Sequence, residues 1–166
     1  MGVIMGRMNS AEILKLIISL AICQFAGFIG SLFTTPSIPT WYAALSKPTF
    51  NPPNSIFSPV WTTLFLLMGI SAYLIWRKDT RDKNVKIALL IFIVQLLLNV
   101  LWSFLFFGLH SPSSAFFEII ILWLAILVTV LSFMKISKPA GILLLPYLLW
   151  VSFASVLNFS LWKLNP

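Results

Sequence analysis

Five long apolar runs restrict what this sequence can fold into. They cover about residues 13–33, 59–76, 85–109, 114–134 and 139–162. Each is close to the ~20 apolar residues that a helix needs to cross a bilayer. Only 9% of the residues are charged, against about 25% in soluble domains, so a soluble fold has too little polar surface to cover these runs. The sequence predicts an all-α integral membrane bundle of five transmembrane helices, forming one domain over residues 1–166.

The connections between the runs predict how the helices follow one another. Three of them are short, RKDTRDK, HSPS and KISK, and short connections make neighbouring helices antiparallel. The first connection is long, residues 34–58. It carries most of the stretch WYAALSKPTFNPPNSIFSPVW, which holds four of the ten prolines and one charge, Lys47. Because proline fixes φ, this stretch predicts a stiff loop rather than a flexible linker.

The placement of lysine and arginine predicts the orientation. Lys47 and Lys163 lie on the side of the long loop. The other nine lie on the side of the N-terminus: Arg7, Lys15, Arg77, Lys78, Arg81, Lys83, Lys86, Lys135 and Lys138. Positive residues stay cytoplasmic, so we expect the N-terminus inside and the C-terminus outside, in a prokaryotic cytoplasmic membrane. The +7 charge does not indicate nucleic-acid binding, because it follows the span ends rather than one face.

The first run has two properties that bear on its role. It continues to Phe33, longer than the apolar region of about 7–15 residues in a signal peptide, so we interpret it as a span. Small residues recur along it every four positions, and such a face predicts either close packing against another helix or a dimer contact. These residues are Ser19, Cys23, Gly27 and Ser31.

Polar and aromatic residues share single faces of three predicted helices. Residues spaced by three or four positions lie on one helical face. The faces comprise Trp61, Phe65, Met68 and Ala72 in the second span, Gln95, Asn99, Trp102 and Phe106 in the third, and Trp150, Ala154 and Asn158 in the fifth. One interpretation is hydrogen bonding between helices, which contributes about 0.6 kcal/mol per pair in membranes. The other is a pocket for a flat, partly polar aromatic ligand, with indoles for stacking and amides for orientation.

Pro146 predicts an interruption of the fifth span. Proline removes the backbone bond to the Ile142 carbonyl, which should kink the helix and widen the bundle near Tyr147 and Trp150. We therefore include Tyr147 among the candidate ligand-binding residues.

The titratable residues indicate little conventional chemistry. Glu118 is the one acid well inside a span, and we interpret it as an interfacial carboxylate near a helix start capped by Ser113 or Ser114, with a proton relay as the alternative. His110 has no His, Cys or acid at ligand spacing, so no metal site is predicted. One His and four acids leave little material for hydrolytic or acid–base catalysis.

Four ordered motifs carry a family resemblance. They are WYAALSKPTFNPP, SPVWTTLFLLMG, QLLLNVLWSFLFF and LLPYLLWVSFASVLNFSLWKLN, between about Trp41 and Asn165. Together they closely resemble the translocator protein family, whose bacterial members are called tryptophan-rich sensory proteins and whose animal members were called peripheral benzodiazepine receptors. The first span matches in character only.

The resemblance implies five transmembrane helices, a homodimer and a ligand pocket under the first loop, for which that loop would be a lid. It implies binding of porphyrins such as protoporphyrin IX, without a cofactor, in sensing, trafficking or stress regulation. Porphyrin or lipid transport is one alternative, and light-dependent porphyrin breakdown is another, with Trp61 and Trp150 as candidate redox-active indoles. The pocket residues it implies are Tyr42, Trp61, Asn99, Trp150 and Ala154.

The sequence departs from the family pattern at three positions. Phe50 stands in KPTF where an indole is common, and Ser58 stands in SPVW where glycine is usual. Phe159 lacks the hydroxyl of the tyrosine in the animal cholesterol motif, which is itself a weak pattern. Cholesterol binding is therefore not predicted.

Overall fold

The computed structural model describes residues 9–166, which form helices and connections without a β-strand. Two π-helical turns, Ile38–Tyr42 and Phe104–Gly108, extend the first and third helices. The helices are α1 (Ser10–Ser37), α2 (Asn54–Trp76), α3 (Lys83–Ser103), α4 (Pro112–Ile136), α5 (Lys138–Leu143) and α6 (Leu145–Leu164). Within the described residues, five helical segments are long and apolar enough to cross a membrane, with α5 and α6 sharing one of them. The all-α, five-span membrane bundle is confirmed.

Side-chain caps fix where three of these helices begin. The Asn9 side chain accepts a hydrogen bond from the backbone N–H of Glu12 at 2.8 Å, and Asp82 accepts one from Asn84 at 2.8 Å. Ser111 accepts from Ser114 at 3.4 Å. Such caps satisfy amide groups at a helix start that have no partner within the helix.

The loop between the first two spans is shorter than predicted. The first span continues past Phe33 to Tyr42, and the second begins at Asn54, ahead of Pro59. Pro36 and Pro59 lie inside these helices, because the fixed φ of proline is itself helical and each proline removes only one N–H donor. The Thr40 hydroxyl donates to the Pro36 carbonyl at 2.9 Å and supports the widened turn.

The fifth span is interrupted where Pro146 predicts a break. Leu144 separates α5 from α6, and its N–H donates to Gly141 at 3.1 Å. The short α5 is held against the second span, because the buried Ser71 hydroxyl donates to the Ala140 carbonyl at 2.7 Å.

The small face of α1 packs inside the chain. Ser19 and Cys23 are buried, with Cys23 at 0% exposure, and Gly27 and Ser31 are half-buried, with Gly27 against the Phe65 ring of α2. Of the two uses predicted for this face, the structure shows close helix packing. The homodimer implied by the resemblance stays a prediction.

Glu118 lies further into its helix than predicted and is buried within the bundle. The cap of α4 is Ser111 rather than Ser113 or Ser114, so the helix begins earlier and Glu118 follows almost two turns into it. The side chain is only 6% exposed, and neither carboxylate oxygen has a hydrogen-bond partner within residues 9–166.

Replacing Gly69 by alanine should weaken the contact between α1 and α2. The added Cβ would lie 2.9 Å from the Cα of Leu20 and 3.2 Å from the carbonyl oxygen of Ser19, both backbone atoms. Because a helix backbone cannot rotate out of the way, we expect the free energy of unfolding in detergent to fall by about 1–3 kcal/mol. Gly30→Ala is the matched control, since its Cβ would meet the rotatable Ser103 hydroxyl. Equal losses in both variants would contradict this account.

Candidate functional site

A cavity of about 400 Å³ lies between α1, α2, α3 and α6. It occupies the half of the bundle where α1 ends and α2 begins, which we call the loop end. The opposite end, where α2 ends and α3 begins, is called the basic end. The cavity is lined by aromatic, small and hydroxyl side chains, among them Gly27, Ser31, Thr34, Tyr42, Phe57, Trp61, Phe65, Asn99, Trp102, Phe106, Trp150, Ala154 and Asn158.

Aromatic contacts hold the Trp61 and Trp102 indoles of the wall. The rings of Trp61 and Phe65 lie 5.7 Å apart, one helical turn from each other on α2. Trp102 stacks on Phe106 at 5.2 Å with an angle of 21° between the rings. These offset contacts are the arrangements that aromatic pairs prefer, so they restrict how the indoles can turn.

Asn158 positions Trp102. Its side-chain oxygen accepts a hydrogen bond from the Trp102 indole N–H at 3.0 Å, and its amide nitrogen donates to the Pro112 carbonyl at 2.7 Å. Both ends of the amide are therefore engaged within the protein. Asn158 shapes the wall of the cavity rather than offering a free polar group to it.

Asn99 keeps part of its hydrogen-bonding capacity. Its amide nitrogen donates to the hydroxyl of Tyr147 at 2.9 Å, and Tyr147 is fully packed at 1% exposure. An asparagine amide has a carbonyl acceptor as well as two N–H donors. The Trp150 indole nitrogen is buried and has no hydrogen-bond partner in the described part of the chain. Asn99 thus brings a polar group to a mainly aromatic wall, and Trp150 lines the same wall with its indole nitrogen buried.

The loop between Tyr42 and Asn54, which we call the cover after the lid that the resemblance implies, lies at the loop end and is attached to α6. The hydroxyl of Tyr42 donates to the side chain of Asn51 at 2.7 Å. Asn165, just after α6, accepts from the Ser46 N–H and donates to the Ser46 carbonyl, both at 2.9 Å. Phe50 meets Phe153 of α6 edge to face at 6.3 Å. The Tyr42–Asn51 bond lies within the cover, whereas the Asn165 and Phe153 contacts attach the cover to α6.

Two further contacts hold the start of the cover. The ammonium group of Lys47 donates to the carbonyls of Ala43 and Leu45 at 3.2 Å each and lies 4.8 Å from the centre of the Tyr42 ring. Trp41 stacks on His110 at 4.5 Å. The single charge of this stretch therefore caps its own backbone.

The structure brings seven of the nine predicted binding residues to this one cavity. Tyr147 does not line the wall but lies behind Asn99, which it holds. Gln95 is buried at 1% exposure away from the cavity, and neither end of its amide has a partner within residues 9–166. The seven are Tyr42, Trp61, Asn99, Trp102, Trp150, Ala154 and Asn158.

The wall contributed by α1 was not predicted. Gly27, Ser31 and Thr34 line the cavity, together with Phe57 near the start of α2. The small residues of α1 were interpreted as a packing face, and they do pack. A small side chain marks a place where a neighbour comes close, and that neighbour can equally be a helix or a cavity.

The sequence matches one known protein family and individual members of it. The TspO/MBR family profile matches residues 19–163, which extends the likeness into the first span. The chain is 47% identical over 155 residues to tryptophan-rich protein TspO of Archaeoglobus fulgidus, covering 93% of this chain and 99% of that protein.

Two further relatives come from distant sources. Tryptophan-rich protein TspO of Chlorobaculum tepidum is 43% identical over 155 residues, covering 93% of this chain and 98% of that protein. Translocator protein of Homo sapiens is 35% identical over 140 residues, covering 83% and 82% respectively. The chain is an integral, multi-pass membrane protein that belongs to the TspO/MBR family.

Proposed function

We propose that this protein binds porphyrins such as protoporphyrin IX, and other flat hydrophobic aromatic molecules, in the cavity under the loop. The supporting observation is that Trp61, Trp102, Trp150 and the Asn99 amide all line one cavity of about 400 Å³. Small-molecule sites commonly measure about 300–1,000 Å³, with apolar walls and a few polar groups. Indole faces suit stacking on a flat ring system.

Polar groups without a hydrogen-bond partner in the described residues suit a ligand that carries a few hydrogen-bond acceptors and donors. The Asn99 carbonyl is an acceptor on the wall, and the Trp150 indole N–H is a donor that no residue of 9–166 engages. A buried donor without a partner costs about 1–3 kcal/mol, so a ligand acceptor that reached the indole would offset that cost. Ala154, beside Trp150 on α6, leaves room for the ring.

The names of relatives favour a role in sensing or movement of the ligand. One relative, from Cereibacter sphaeroides, is called tryptophan-rich sensory protein, and several animal relatives are called translocator protein. We propose that this chain acts as a receptor-like binder in sensing, trafficking or stress regulation.

Filling the space at Ala154 should abolish porphyrin binding. Ala154→Phe places a phenyl ring where the ligand would stack, and we expect the quenching of tryptophan fluorescence by protoporphyrin IX to be lost. Val156→Phe adds the same ring on an exposed face of α6 and is the size-matched control. Overpacking costs about 1–3 kcal/mol, so thermal unfolding of both variants must accompany the titration. Equal quenching in Ala154→Phe and the parent would exclude this cavity.

Removing the Asn99 amide should weaken binding without emptying the cavity. Asn99→Leu keeps a similar volume but loses the acceptor, so we expect the dissociation constant for protoporphyrin IX to rise by about tenfold. The substitution also takes a partner from Tyr147, so the folded fraction is measured alongside. Trp76→Phe, at the basic end, should leave the dissociation constant unchanged. If Trp76→Phe weakens binding as much as Asn99→Leu, the aromatic faces are packing and not a site.

Illumination separates binding from breakdown. If the protein only binds the porphyrin, the absorption spectrum of the bound porphyrin stays intact during prolonged illumination, and only free porphyrin bleaches. Protein-dependent loss of that spectrum in light, reduced in Trp61→Phe or Trp150→Phe, would instead indicate an enzyme. The two spectra are recorded on one sample, in the dark and then in light.

The orientation proposed from the charge asymmetry is tested by reporter fusions. Of the nine basic residues assigned to one side, Arg7 lies outside the described residues, and the other eight occur where helices begin or end at the basic end. We expect a reporter after Pro166 to be exposed outside and one at the N-terminus to be cytoplasmic. A cytoplasmic C-terminus would contradict this orientation and the outward-facing position of the loop.

A further inference from the structure

The helix α1 packs against different neighbours along its length. Near the basic end it contacts α2: the Lys15 ammonium donates to the Trp76 carbonyl at 3.3 Å, and Glu12 pairs with Arg77 at 3.1 Å. Gly69 of α2 also leaves no room for a Cβ against α1. In this half the two helices are closely packed.

At the loop end α1 packs against the end of α3 instead. The ring of Phe33 meets that of Phe104 at 5.3 Å, and the Ser37 hydroxyl donates to the Phe107 carbonyl at 2.8 Å. Gly30 faces the side chain of Ser103. Because α1 packs against α3 here, the turns of α1 and α2 nearest the loop end are separated, and the cavity occupies the space between them.

One hydrogen bond marks where the two helices begin to separate. The amide nitrogen of Gln24 donates to the Thr62 carbonyl at 3.2 Å. It is the side-chain hydrogen bond between α1 and α2 nearest the loop end within residues 9–166. Both residues also line the cavity. We call the opening beyond this bond, between α1 residues 28–35 and α2 residues 54–62, the lateral window.

The rims of the lateral window combine exposure with polarity. Phe28 is 57% exposed although it lines the cavity, and Thr35, Ser58 and Thr62 are exposed as well. Polar side chains on a surface that faces hydrocarbon are costly and therefore suggest a function. The cost is reduced because hydroxyls bond to their own helix, as Thr62 does with the Ser58 carbonyl at 2.9 Å. The rim can therefore contact either lipid or the polar groups of a ligand that passes through the window.

The two possible entrances differ in how they are closed. At the loop end, the cover is attached to α6 through Asn165, and Tyr42 is bonded to Asn51. At the lateral window, the Gln24 bond is single and neutral. Opening the cover requires several hydrogen bonds to break together, whereas widening the window requires one hydrogen bond to break and Gly27 of α1 to move away from the Phe65 ring of α2.

We propose that ligands enter and leave the cavity sideways from the bilayer, through the lateral window, with Gln24 as its latch. This rests on the proposed function, because it assumes a ligand in the cavity. It also defines the ligand class more narrowly: planar amphiphiles that partition into the membrane before they bind, rather than water-soluble molecules that arrive under the loop.

Cross-linking each entrance tests the route. In a Cys23→Ala background, Gln24→Cys with Thr62→Cys is joined by a short reducible thiol cross-linker, and Ser46→Cys with Asn165→Cys is joined in a second protein. Protoporphyrin IX is supplied in phosphatidylcholine bilayers, and tryptophan quenching gives the association rate. Joining positions 24 and 62 should slow association about tenfold relative to the same protein after reduction, as expected when a required conformational change is blocked. Joining positions 46 and 165 should leave the rate unchanged.

The outcomes separate this proposal from the proposed function. Slower association only in the cross-linked loop, or equal effects of the two links, would overturn the lateral route while leaving ligand binding intact. No quenching in either reduced protein or in the parent would contradict the proposed function itself.

Removing the latch gives an independent readout of opposite sign. Gln24→Leu should raise the association and dissociation rates together, about threefold or more, because a gate alters the rates of entry and exit in the same direction. A changed dissociation constant with an unchanged association rate would mean that Gln24 contacts the ligand and is not a latch.

Discussion

The amide of Asn158 joins three helices beside the cavity, and much of the site depends on it. From α6 it bonds the Trp102 indole of α3 and the Pro112 carbonyl at the start of α4. Hydrocarbon offers no substitute partner, so a polar group in this setting must be satisfied within the protein. With Trp102 fixed, its ring supports Phe106 in the π-helical end of α3. That end is the surface against which the outer turns of α1 pack.

The π-helical turn of α3 explains why the cavity lies where it does. The N–H of Leu109 donates to the carbonyl of Phe104 at 2.8 Å, five residues back, so the helix is wider there than an α-helix. Phe106 meets Trp41 at 5.5 Å and Phe104 meets Phe33 at 5.3 Å. These contacts hold α1 toward α3, and the space between α1 and α2 stays open. The cavity and its lateral window therefore both result from the packing of α1 against α3 at the loop end.

The sequence predicted the parts of this structure that follow from local periodicity. Long apolar runs identify spans, and a spacing of three or four residues placed Trp61, Asn99 and Trp150 on faces that do meet. Periodicity extends along a whole helix, however, whereas a cavity occupies only part of its length. Gln95 lies one turn beyond Asn99 on the same face, and there the helices close. The contribution of α1 to the cavity wall depends on which neighbouring helix it packs against, and local patterns in a single sequence do not determine that.

The three buried amides fit the interpretation of the polar faces as bonding between helices to different degrees. Bonding between helices fits Asn158 completely, since both ends of its amide are used. It fits Asn99 in part, because the bond to Tyr147 leaves the carbonyl on the cavity wall. It does not fit Gln95, whose amide engages no residue of 9–166. Packing and ligand binding are therefore not competing accounts of one stripe. The Asn158 amide is hydrogen-bonded at both ends and holds the Trp102 indole in place. The Asn99 amide keeps its carbonyl on the cavity wall, where it can bond a ligand that stacks on that indole.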